Sequence, residues 1–194
     1  MIDLPKKYKH QDSEAKWRQT WDDQKVYQWK EGKSREETFA VDTPPPTVSG
    51  SLHIGHVFSY TQTDIQVRYN RMKGKNIFYP MGWDDNGLPT ERRVQNMFGI
   101  TCNPKITYDP NWKPQKSNKK PHEFEEVSRQ NFIEACSIVT EEDEKVFEEL
   151  WRKLGLSIDW NLNYATIDDH CRKISQVSFL DLVAVGTICD IVNI

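Results

Sequence analysis

No stretch of the 194 residues approaches the roughly 18 uninterrupted apolar residues that a membrane-crossing helix requires. No membrane partner is therefore expected. The opening residues, MIDLPKKYKHQDSEAKW, hold no apolar core that could serve a secretory leader. Cysteine is scarce: Cys102, Cys136, Cys171 and Cys189 lie far apart, with no C-x-x-C pair. That spacing is poor for zinc and for a disulfide framework, so a cytoplasmic chain with reduced thiols is expected. Positive charge is not in excess either. With 26 basic and 29 acidic residues the net charge is −3, and composition gives no sign of binding nucleic acid through phosphate contacts alone. The G-x-x-x-x-G-K-[ST] phosphate loop is absent, as are internal repeats and low-complexity tracts.

What is present reads as a soluble α/β chain. Hydrophobic residues are 37% and charged residues 28%, and seven tryptophans supply material for cores and interfaces. Asp12 to about Trp29 reads as a polar helix capped by Asp12 or Ser13, with Trp17 and Trp21 on one face. Thr38–Val41 reads as a strand stopped by Pro44 to Pro46. Ser49-Gly50-Ser51 then opens a helix from about Leu52 to Met72, closed by Gly74. Asn76–Met81 is a second strand, ending at the turn-rich Gly82 to Gly87. Strand, helix and strand within this span form a βαβ unit with two parallel strands. Further helices are expected over Thr90–Phe98, Glu123–Ala135 and Asp168–Val185. Another is expected from a Thr140/Asp143 capping box to Gly155, with Val146, Leu150 and Leu154 as its apolar stripe. Residues 101–121 form an exposed Pro/Lys-rich excursion. Its lysines, Lys113, Lys116, Lys119 and Lys120, suit either RNA contact or plain solvation.

The chemistry concentrates after the first strand, in TPPPTVSGSLHIGHVF from Thr43 to Phe58. Ligands on parallel sheets bind beyond the carboxyl ends of the strands, where helix amino termini point. His53 and His56 lie on one face of that first turn. The free amides and helix dipole there favour an anion, two imidazoles add donors, and Gly55 opens the backbone to a ligand. This describes a phosphate or nucleotide seat. The same pair also suits a metal half-site, or ordinary surface or core histidines. In Gly82-Trp83-Asp84-Asp85-Asn86-Gly87, at the end of the neighbouring strand, Asp84 or Asp85 suits a substrate ammonium or an Asx-type turn. Lying at the ends of two strands of one βαβ unit, the two features are expected a few ångströms apart.

Several segments together resemble the class I aminoacyl-tRNA synthetases. His53-Ile54-Gly55-His56 matches their HIGH signature, and PPPTVSGSL resembles the valyl branch. GWDDNGLPTERRVQN, NRMKGKNIFYP and ELWRKLGLSIDWNLNYATID are similar to the same branch, so the likeness runs over roughly residues 1–180.

The resemblance implies an α/β fold, the first half of a Rossmann-like catalytic domain over 38–194, with an N-terminal helical appendage over 1–37. It implies valine activation with ATP, with Mg2+ carried by the ATP, and transfer of the aminoacyl group to tRNA. His53 and His56 would act on the ATP phosphates, and Gly55 would let the adenine pack. Pro45, Pro46 and Thr47 would line the valine site, and Asp84 would bind the α-ammonium. Thr47 and Asn86 depart from the common forms, Asn and His, and bear on specificity. The lysine-rich K-M-S-K-S loop, the editing domain and the anticodon-binding domain have no match here. The tail from Val183 also leaves the pattern, as a truncated or frame-disrupted product would. Three readings follow: a ligase whose remaining parts are absent from this chain, an inactive fragment or ATP-, tRNA- or protein-binding module, and another branch such as isoleucyl. A partner chain supplying the second half would reconcile the first two.

Overall fold

The computed structural model describes residues 7–48 and 52–187. The Ser49-Gly50-Ser51 helix opening and the tail beyond Thr187 lie outside the described residues. The described residues form two compact units, one of residues 7–44, 52–81 and 141–163, the other of residues 45–48, 82–140 and 164–187. Three two-stranded sheets, all parallel, occur among the described residues. None of the described helices is long and apolar enough to cross a membrane.

In the first unit, β1 (Thr38–Ala40) pairs in parallel with β2 (Asn76–Phe78), and α2 (Ile54–Met72) crosses between them. The expected βαβ unit is therefore present. Gly74 follows α2 at a positive φ of 83°, the left-handed turn that lets the chain reverse into β2. Helix α1 (His10–Asp23) is shorter than expected. Lys25 takes a positive φ of 52°, and the chain turns so that Tyr27 packs against Trp21 at 5.8 Å. Its first turn carries no side-chain cap, contrary to the expectation for Asp12 or Ser13. Trp17 and Trp21 do share a face, stacked at 6.5 Å. Arg68 of α2 lies over both Trp21 and Tyr27, and Arg71 lies over Tyr27.

The long α4 (Arg129–Leu154) is one continuous helix, which corrects the expected break into two. The segment contains neither Gly nor Pro. Thr140 does not cap it; its hydroxyl donates back to the Cys136 and Ser137 carbonyls, as mid-helix threonines do. The expected Val146/Leu154 stripe points outward, with Val146 63% exposed. The buried face is Phe132, Ala135, Val139, Asp143, Phe147 and Trp151, a run at three- and four-residue spacing interrupted by one aspartate. Gly155, at φ 71°, ends the helix as expected.

The second unit holds β3 (Gly82–Trp83) paired with β6 (Tyr164–Ala165), and β4 (Ile100–Cys102) paired with β5 (Glu125–Val127). Helix α3 (Leu88–Phe98) ends at Gly99 as expected, and α5 (Asp169–Ala184) runs from the Asp168 cap toward Gly186. Val94, Phe98, Ile100, Val127, Phe132, Ala135 and Val139 form the core. The 101–121 excursion is mostly irregular, and its four lysines are exposed. It is nevertheless pinned: Trp112 packs on the core, the Ser117 amide donates to the Met97 carbonyl, and buried Asn131 bonds the Asp109 backbone twice.

Gly82 sits beneath the Tyr164 ring, where an added Cβ would collide with Tyr164 Cζ. We expect Gly82→Ala to lower unfolding free energy by about 1–3 kcal/mol, the usual range for an overpacked site. A Gly82→Ala/Tyr164→Leu pair should recover part of that loss in urea titrations. Equal losses for the single and double variants would show that the ring is not the obstacle.

Candidate functional site

An α-helix leaves its first amides without intrahelical partners. At the amino end of α2 two imidazoles supply them. His53 is the N-cap residue, in extended conformation. Its Nδ1 accepts the Gly55 N–H at 3.1 Å, and His56 Nδ1 accepts the His53 N–H at 3.3 Å. The rings lie 4.0 Å apart, centroid to centroid. An imidazole that accepts at Nδ1 carries its proton on Nε2. Each ring therefore offers an Nε2–H beside a helix amino terminus, where the dipole favours negative charge. Desolvation, and secondarily the neighbouring His53, lower the His56 pKa below the ordinary value of 6.5. His53 and Gly55 are exposed.

Gly55 has a reason that its sequence context did not reveal. A Cβ there would meet His53 Cε1 at 2.9 Å and Nδ1 at 3.0 Å. The glycine makes room for the imidazole that caps the helix. Among the described residues, no three His, Cys, Asp or Glu groups gather as a metal site.

The other candidate residues belong to the second unit. The Asp84 amide donates to the Pro46 carbonyl, and the Val48 amide donates to the Asp84 carbonyl, each at 2.9 Å. This parallel bridge holds the proline-rich segment alongside the residue that follows β3. Thr47 Oγ1 donates to Asp84 Oδ2 at 3.1 Å, so these two expected site residues do come together. Pro46 is buried, Pro45 and Asp84 are half-buried, and Thr47 is exposed. The neighbouring Asp85 is only 4% exposed, and the Asp85 amide and the Asn86 side chain both donate to Thr166 Oγ1. Asp84 is thus the more accessible carboxylate of the pair. One expectation is corrected: Asp84 follows β3, a separate strand, rather than ending the β2 strand of the βαβ unit.

Two predictions follow from the imidazole cap. Gly55→Ala should displace His53 and accelerate hydrogen exchange at the residue-55 amide about tenfold or more, while β4 and β5 amides stay protected. An unchanged rate would mean that the ring can yield without cost. Because the folded-state pKa of His56 is lowered, the stability it contributes is present above pH 6.5 and is lost as pH falls through the lowered value. The stability advantage of wild type over His56→Gln should therefore shrink on acidification, measured by urea titrations between pH 7.5 and 5. A constant advantage would contradict the assigned cause.

Comparison with known proteins extends this picture. The family model for tRNA synthetases class I (I, L, M and V) matches residues 16–194. The chain is 60% identical over 177 residues to a valine–tRNA ligase of Thermobifida fusca, covering 89% of this chain and 20% of that protein. It is 52% identical over 183 residues to the valine–tRNA ligase of Salinispora tropica, covering 94% and 21%. Among solved structures, it resembles the agnB2 LeuRS of Agrobacterium radiobacter K84, in a ternary complex with tRNA and LeuAMS. There the TM-score is 0.67 at 26% identity, over 93% of this chain and 18% of that one. The chain thus spans about a fifth of the length of the curated relatives it matches. With its parallel strands, crossover helix and this match over most of its length, the chain belongs to the class I tRNA synthetases.

Proposed function

We propose that the chain carries the amino-acid-activating chemistry of a valine–tRNA ligase. The observation that carries this reading is the pair of imidazoles closing the amino end of α2, in a chain 60% identical to a valine–tRNA ligase. In this reading His53 and His56 donate from Nε2 to the ATP phosphates, and Gly55 admits the nucleotide to the backbone. Mg2+ arrives with the triphosphate. Pro45, Pro46 and Thr47 line the valine site, and Asp84 receives the α-ammonium, with the Thr47 hydroxyl orienting its carboxylate. A valine carboxylate oxygen attacks the α-phosphorus, and the bond to the departing pyrophosphate breaks. Preplaced donors stabilise the charge that develops, without a covalent intermediate on the protein. The aminoacyl group then passes to tRNA, in the cytoplasm.

Valine-dependent ATP–pyrophosphate exchange on the purified chain tests this directly. Removing a preplaced donor costs on the order of 10²–10³ in rate, so His53→Ala should show that fall mainly in kcat. Asp84→Ala should act chiefly through the KM for valine. Exchange faster with isoleucine than with valine would reassign the branch. ATP binding without exchange in a folded chain would leave a nucleotide-binding module, with any catalysis requiring a second polypeptide.

A further inference from the structure

Below its amino terminus, α2 is gripped by a polar clamp that neither composition nor motif spacing indicated. Asp64 is 6% exposed, on the face of α2 turned away from solvent. Its Oδ1 accepts the backbone N–H of Ser157 at 2.8 Å and the Ser157 hydroxyl at 2.5 Å. Its Oδ2 accepts Arg68 Nε at 2.6 Å. Arg68 in turn donates to the Gly155 carbonyl, and Arg71 donates to the Ser157 carbonyl at 3.2 Å. Three side chains at i, i+4 and i+7 thus hold the three-residue turn that leaves α4. Ser157 is fully buried. One turn nearer the imidazoles, buried Tyr60 stacks on Trp151 at 4.7 Å and donates to the Pro44 carbonyl at 2.6 Å.

A buried carboxylate is tolerable only when its lone pairs are met by donors in fixed directions. Unlike an apolar contact, such a clamp sets both the rotation of a helix and its position along the axis. At 1.5 Å per residue, Asp64 lies about 15 Å along α2 from Ile54. A helix is stiff over that distance, so a setting imposed at Asp64 reaches the amino end. We infer that Asp64 and Ser157 are positioning residues for the His53–His56 pair: through this clamp they fix where the two Nε2–H groups point. This rests on the proposed role of those imidazoles, but its test does not.

The chain has five histidines, His10, His53, His56, His122 and His170, so side-chain NMR resolves the effect residue by residue. Asp64→Asn keeps the shape and loses the charge; Ser157→Ala keeps the amide and loses the hydroxyl, and is the milder change. In either variant, when folded, the His53 and His56 ring resonances should shift and the Gly55 amide should exchange about tenfold faster. His122 and His170 should stay in place. Unmoved His53 and His56 signals in a folded Asp64→Asn or Ser157→Ala chain would overturn the inference. Equal shifts at all five histidines would overturn it too, because they would report general loosening. A wild-type chain that binds no ATP would remove the functional reading of the imidazoles and leave this positional result standing.

Discussion

The amino end of a helix must find acceptors for its first amides, and the way α2 meets that requirement organises the candidate site. A serine or aspartate would have satisfied the same amides at similar cost. Two histidines do so through Nδ1, which consumes the acceptor face of each ring and leaves the donor face outward. Helix capping thus falls to the same side chains that the proposed phosphate seat would use. Gly55 suits this arrangement, because a Cβ there would press on the His53 ring in its capping position.

The proline-rich segment meets a comparable constraint in the second unit. Proline has no N–H to give to a sheet, so a run of prolines can pair only through its carbonyls. Pro46 accepts from the Asp84 amide, and Val48, two residues beyond Pro46, returns a bond to Asp84. The exchange brings Thr47 and Asp84 within hydrogen-bond distance although 37 positions separate them. The prolines stiffen one side of the contact, and Thr166 ties down the other through Asp85 and Asn86.

Much of this was legible in the residues. Glycine marked the ends of α2, α3, α4 and α5, and proline the end of β1, because positive φ and a missing amide act locally. The parallel pairing of β1 and β2 followed from the length of the crossover. Long-range satisfaction of polar groups was not legible. Asp143 broke the apparent periodicity of α4, so the stripe was read one position off, on Val146 rather than Phe147. Thr140 looked like a cap because its side chain can bond either forward or back, and only the tertiary packing decides. Strand β3 has two residues and exists through its pairing with β6, some 80 positions later, which no local pattern announces. Asp64 and Ser157 escaped for the same reason: an aspartate within an amphipathic helix looks solvated until its partner, 93 residues away, is in place.

The measurement that bears most directly on the central claim is a titration of the chain with ATP, followed through the imidazole nitrogens. The account predicts that, without ATP, His53 and His56 are both Nε2–H tautomers. On titration their Nε2 signals should shift together and saturate, while those of His10, His122 and His170 do not move. Protonation on Nδ1 of either ring, or His53 and His56 signals that ignore ATP in a folded chain, would contradict the assignment of this helix end as a phosphate seat.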